Sequence, residues 1–142
     1  MIEEIPRLFP YADYLDDFVS LMKKAVELSQ SDLSDIDAIH LLGEGWVAEE
    51  TLAIAIFCAL RYSKDFEKAV VASVNHNGDS DSTGAVTGNI LGAYIGLSKI
   101  PEKYLENLEL KEVILTLADD LFDGYREDKD WKKKYIDKTF RP

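Results

Sequence analysis

Drawn as a helix, the segment from Trp46 to Tyr62 places Val47, Leu52, Ile54, Ile56, Phe57 and Leu60 around its whole circumference. A helix that is apolar on most sides has little face to give to water, so other elements must wrap it. That requirement puts it at the centre of a core, and the rest of the chain has to supply the layers around it. A chain of 142 residues, 46% of them hydrophobic, carries enough apolar side chain to do this in one domain.

The flanking segments read as those layers. Tyr14, Phe18, Leu21, Met22, Ala25 and Leu28 recur at helical spacing, which predicts an amphipathic helix ending near Gln30. Ser31 to Asp37 supplies caps and turns, and a short helix carrying Ile36, Ile39 and Leu42 stops at Gly43, expected in the left-handed C-terminal conformation. Asp65 is placed to cap a helix through Phe66, Ala69, Val70 and Val74, with Glu67 in its first turn. A further helix is expected from Ser82 or Thr83 to about Gly96, and Pro101 starts a short one. Val113, Ile114, Leu117, Leu121 and Phe122 mark a last amphipathic helix closed by Gly124. The tail from Tyr125 to Pro142 alternates charges and aromatics, a docked arm or a frayed end, and its Lys132 to Lys134 triplet reads as solvated surface. No segment has the alternation of a strand ladder. The fold class is therefore all-α, one compact domain of about six to seven helices over 1–124 with a charged tail over 125–142.

Charge and cysteine content narrow the function. A net charge of −11 argues against sequence-independent nucleic-acid binding, which depends on Lys and Arg neutralising phosphates. The single cysteine, Cys58, lies in an apolar run, so no intrachain disulfide can form, and a buried reduced thiol in a cytoplasmic protein is expected. The longest apolar run, Leu52 to Leu60, falls far short of the roughly 20 residues that cross a bilayer. The acidic, proline-interrupted N-terminus is unlike a signal peptide, and no membrane role is expected.

The chemistry concentrates in Asn75-His76-Asn77-Gly78-Asp79-Ser80-Asp81-Ser82-Thr83-Gly84. Two carboxylates alternating with hydroxyls offer the oxygen donors that hard cations such as Mg2+, Ca2+ and Mn2+ take, and neighbouring carboxylates repel unless a cation or a proton sits between them. On a tight turn opened by Gly78, Asp79, Asp81 and Ser82 are the candidate metal ligands. The plainer reading makes one of them only an N-cap for the next helix. One cap accounts for one residue, however, and leaves Asn75, His76, Gly78 and the second aspartate polar without cause. His76 suits a supporting or substrate hydrogen-bonding role better than direct ligation in an oxygen-rich site.

Two further patterns accompany the loop. Gly84, Gly88, Gly92 and Gly96 recur every four residues, at about 1 kcal/mol of lost helix propensity each, which predicts a backbone packed closely against that stripe. Gly43-Glu44-Gly45-Trp46 precedes the central helix, where glycine N–H groups can face a phosphate and Trp46 can flank a base or ribose. Glu49 and Glu50 read as first-turn acids complementing the helix dipole.

In order, Gly-Glu-Gly-Trp-Val-Ala-Glu-Glu at 43–50, the apolar helix to Arg61-Tyr62, Asp65-Phe66 and Val-Asn-His-Asn-Gly-Asp-Ser-Asp-Ser-Thr-Gly-Ala-Val-Thr-Gly-Asn at 74–89 resemble the ADP-ribosylglycohydrolase family. The resemblance continues through Ile100-Pro101-Glu102 and covers Leu33 to Leu121. It implies an all-helical fold with a two-magnesium centre that hydrolyses the glycosidic bond between ADP-ribose and an acceptor. It also implies that Asp79, Asp81 and Ser82 are Mg2+ ligands, and that Gly43, Gly45 and Trp46, with Asn75, His76 and Gly78, lie on the substrate's side. The implied ligand is an ADP-ribose-type small molecule or an ADP-ribosylated protein. The family's Gly-Asp-Ala/Ser-x-Gly and Thr-Asp-Asp-Thr motifs, which supply its other metal ligands, are absent from these residues. The Asp16-Asp17 and Asp119-Asp120 pairs lack the flanking threonines. The chain thus resembles the C-terminal half of the family's domain.

Two expectations follow from that departure. In one, a second polypeptide or a second copy of the chain completes an enzyme. In the other, the chain is an inactive fragment or binding module that keeps the fold and a weak metal site.

Overall fold

Small buried side chains explain how the central helix is surrounded. In a computed structural model, which describes residues 2–124, 129–133 and 135, the segment forms α4, Ala48–Arg61. Ala53, Ala55 and Ala59 are buried on it beside Ile54, Phe57 and Cys58, so neighbouring helices can approach closely. It packs against α2 (Leu15–Ser29), α3 (Asp35–Leu42), α5 (Phe66–Val74) and α6 (Ser80–Ile95). Met22 and Ala25 of α2, Ala38, Ile39 and Leu42 of α3, and Ala72 of α5 join Ile54, Phe57 and Cys58 in the main core. Ala59, Ala69 and Leu91 form a second cluster that ties α4 and α5 to α6.

The chain is all-α: the described residues contain helices and no strand. It divides into two compact units, Met1–Glu102 and Lys103–Pro142. The first also contains α1, Ile5–Leu8, where Pro6 occupies the opening turn that tolerates proline. The second contains α7, Lys111–Asp123, closed at Gly124 as its sequence suggests, and α8, Lys129–Lys132. Much of the expected tail, including Lys134 and 136–142, lies outside the described residues. None of the described helices is long and apolar enough to cross a membrane.

Several local expectations need correction. Gly43 does end α3, but with φ 128° and ψ −163° it is in an extended positive-φ region open only to glycine, not in the left-handed helical one. The helix expected from Ser82 or Thr83 starts at Ser80, because the Asp79 side chain accepts the Ser82 N–H and so caps it. The glycine stripe is not a backbone contact. A Cβ on Gly88 would meet nothing within 4 Å, one on Gly92 would make ordinary contact with Ile100, and only Gly84 is crowded, by the Val74 side chain. Gly96 lies just past the helix at φ 79°, where it serves as a terminator.

A polar cluster pins α4 to the first helices. The Arg61 guanidinium donates to the carbonyls of Leu28, Ser31 and Leu33 at 3.0, 2.6 and 2.8 Å and pairs with Asp35 at 2.9 Å. It also lies 4.7 Å from the centre of the Phe57 ring. The Tyr62 hydroxyl donates to the other Asp35 oxygen at 2.8 Å, and burial together with that bond raises its pKa.

Candidate metal centre

The turn before α4 is held by that helix's own third residue. Glu50 reaches back so that one carboxylate oxygen accepts the N–H groups of Glu44 and Gly45 at 3.1 and 3.0 Å. Gly43 makes this possible, since a Cβ there would sit 2.3 Å from the Glu50 side chain. Thr51 adds a hydrogen bond from its hydroxyl to the Gly45 carbonyl at 2.7 Å. Of the glycine N–H groups expected to face a phosphate, that of Gly45 is therefore already taken by Glu50 and that of Gly43 by the Ile39 carbonyl. Glu50 itself serves the turn rather than acting only on the dipole of α4. Trp46 remains available, 67% exposed, with its indole N–H donated to the Glu44 carboxylate at 3.1 Å.

The second motif begins where α5 ends. Asn75 turns its amide back onto the Val71 carbonyl at 2.7 Å. His76 is occupied at both ring nitrogens: Nδ1 accepts the Gly78 N–H at 3.1 Å, which leaves the proton on Nε2 to be donated to the Thr83 hydroxyl at 3.0 Å. Thr83 is fully buried and donates its own proton to the Ser73 carbonyl at 2.6 Å. His76 thus braces the turn from within, the supporting role, and has no free nitrogen for a metal.

The fold brings the two motifs together. The Asp79 N–H donates to the Glu44 carbonyl at 2.8 Å. A Cβ on Gly78 would fall 1.7 Å from that carbonyl oxygen, so glycine is required by the close approach of the two chain segments. Gly45, at φ 81°, presents its bare Cα face to the Thr83 methyl and to Asp79. Gly43, Gly45 and Gly78 are the glycines of a seam.

At the mouth of the seam stand Asp79, Asp81 and Ser82. Asp81 is exposed in the first turn of α6 rather than on a preceding tight turn. The Asp79 carboxyl is held below its ordinary pKa, first by a hydrogen bond from the Ser82 side chain and next by one shared with Asp81. The Ser82 N–H, 3.3 Å from Asp79 Oδ1, acts in the same direction. Asp79 and Asp81, with the Ser82 hydroxyl, offer an all-oxygen donor set of the kind Mg2+ takes. Among the described residues there is no group of three or more His, Cys, Asp or Glu side chains placed to hold a metal.

Sequence reasoning missed the function of Glu50 and Thr83. A glutamate at the third helical position is the available signal, since side chains there reach back towards the preceding turn. The Glu44 carbonyl, being main chain, leaves no mark in the sequence.

Comparison with known proteins identifies the family. The profile of the ADP-ribosylglycohydrolase family matches residues 1–130, beyond the Leu33 to Leu121 stretch of the resemblance. ADP-ribosylhydrolase ARH3 of Mus musculus is 29% identical over 78% of this chain and 33% of its own length. An uncharacterized protein of Archaeoglobus fulgidus is 32% identical over 87% of this chain and 38% of its own. ADP-ribosylarginine hydrolase Tri1 of Serratia proteamaculans is 38% identical over 58% of this chain and 22% of its own. The chain spans about a third of the length of ARH3 and the archaeal relative. No solved structure matches.

Proposed function

Because the chain belongs to the ADP-ribosylglycohydrolase family, we propose that it forms one wall of a Mg2+-dependent centre that hydrolyses the bond between ADP-ribose and an acceptor. The observation that carries this is the seam: the Glu44 carbonyl and the Asp79 N–H join the two motifs and leave Asp79, Asp81 and Ser82 together at its mouth. Those three side chains would hold the metal. Mg2+ held there would supply positive charge to orient ribose hydroxyls and a water.

The chain's own contributions are binding and orientation. Asp79 and Asp81 supply the negative charge that draws the cation in, and Ser82 a neutral oxygen. Trp46, exposed beside the seam, offers an aromatic face to a base or ribose. Gly43, Gly45 and Gly78 act on substrate only indirectly, by letting the two segments meet. The remaining ligands would come from a second polypeptide, a second copy of this chain or further chain. The substrate is an ADP-ribose conjugate, an ADP-ribosylated protein among them, in a cytoplasmic setting that suits the reduced Cys58.

The second reading, a binding module with a weak site, draws on the absence of a three-residue acid, His or Cys cluster among the described residues. Release of ADP-ribose from an ADP-ribosylated arginine protein separates the two, measured with the chain alone and with a polypeptide carrying the Thr-Asp-Asp-Thr motif. The enzyme reading expects Mg2+-dependent release in the mixture, abolished by Asp79→Ala. Hydrolysis that persists in chelator, or is unchanged in Asp79→Ala, rules it out.

A further inference from the structure

We infer that Glu50 is a positioning residue that aims the carboxylates at the start of α6, acting through a single peptide unit of the 43–47 turn; its bearing on metal binding rests on the reading above. The peptide between Glu44 and Gly45 is a rigid plane whose N–H and C=O point in opposite directions. Its N–H, that of Gly45, is held by the Glu50 carboxylate at 3.0 Å, and its C=O, that of Glu44, receives the Asp79 N–H at 2.8 Å. A hydrogen bond on one edge of the plane therefore fixes the direction of the bond on the other. The Glu44 N–H, also on Glu50 at 3.1 Å, holds the preceding peptide and keeps the turn from rotating. Beyond the plane, Asp79 is the N-cap of α6, so the placement of its main chain sets where its carboxyl meets Ser82 and Asp81. A glutamate serving only the dipole of α4 would need no glycine at 43 to admit it, yet a Cβ there would overlap its carboxylate.

Two substitutions exchange the properties at issue. Glu50→Gln loses the charge and keeps an oxygen at the same reach, whereas Glu50→Asp keeps the charge near the helix terminus and loses the reach. Amide hydrogen exchange of the full chain, followed by NMR, reports the Asp79 N–H directly. The Lys68 N–H, capped by Asp65 at the start of α5, serves as the internal reference. In Glu50→Asp the Asp79 amide should exchange about tenfold faster relative to Lys68, the equivalent of one net hydrogen bond. Mn2+ affinity, read by electron paramagnetic resonance, should fall by about tenfold in the same variant, as on losing a supporting partner outside the ligand shell. Glu50→Gln should leave both near wild type. Protection of Asp79 that survives in Glu50→Asp and is lost in Glu50→Gln would overturn the inference in favour of a charge effect. Equal acceleration of Asp79 and Lys68 would overturn it in favour of general destabilisation. If wild-type chain takes up no Mn2+, alone or with a polypeptide carrying the Thr-Asp-Asp-Thr motif, the metal reading fails, while the Asp79 amide still decides whether Glu50 positions it.

Discussion

Two polar clusters in the first unit are built on opposite plans. Around Arg61, a cation meets an anion and three carbonyls, and both oxygens of Asp35 are engaged. Around Asp79, two carboxyls of the same sign are gathered on a helix terminus with only hydroxyl and amide groups to moderate them. The first cluster is closed, and its geometry is its purpose: it ties the α2–α3 connection to the end of α4. The second is open on its anionic side, where the proposed cation would sit. A closed cluster should fail by unfolding, an open one by losing a ligand.

The largest effect should come from breaking the closed cluster. Arg61→Ala leaves Asp35 unpaired and strips a donor from three carbonyls, with Arg61 only 13% and Asp35 30% exposed. A loss of about 3 kcal/mol in urea unfolding is expected, the lower end for breaking a buried pair. A loss under about 1 kcal/mol, the value of a surface pair, would mean the cluster is decoration.

Gly78→Ala attacks the seam instead. Its new Cβ would lie 1.7 Å from the Glu44 oxygen, too close for side-chain adjustment to relieve. The two segments must separate, at about 2 kcal/mol, as for other overpacked sites. Mn2+ affinity should fall with it, whereas Gly88→Ala, with open space around it, should gain slightly from helix propensity.

The closed cluster also has an alkaline signature. Cys58 is fully buried, and burial, with the charge of Asp35 adding to it, pushes the thiol up from 9.0 to about 12. Between those values the unfolded chain has released a proton that the folded chain still holds, so stability is unaffected below pH 9 and falls as pH rises above it. The slope should approach about 1.4 kcal/mol per unit. Comparing urea midpoints from pH 8 to 10.5, Cys58→Ala should lose this part of the slope; an unchanged slope would show that the thiol is not the group responsible.

How far these clusters could be read from the sequence differs for a physical reason. Periodicity marked α4 and its wrapping because burial repeats with the helix, and Asp65 was legible as a cap because capping is local. The oxygen-rich pattern singles out Asp79, Asp81 and Ser82 but starts α6 two or three residues late, since either aspartate or Ser82 could cap and only the geometry chooses Asp79. The glycine stripe gave a face without saying what lay against it. Hardest of all were Glu50 and the Arg61 cluster, where side chains bind main-chain N–H groups of the preceding turn or carbonyls from segments distant in the chain. Such partners have no residue identity to find.

The smallest effect on stability is the most informative about the open cluster. Asp81 is exposed, so the benefit of its charge to the α6 terminus is small, and an asparagine there can keep the hydrogen bond to Asp79. Asp81→Asn should therefore leave the urea midpoint of the metal-free chain unchanged, in contrast to Asp35→Asn, which gives up the pair with Arg61. Added Mg2+ should then raise the midpoint of wild type and not of Asp81→Asn, because only a state that binds the ion is stabilised by it. Equal responses of the two chains to Mg2+ would place the ion elsewhere, and the gathering of two carboxyls at the seam would need another cause.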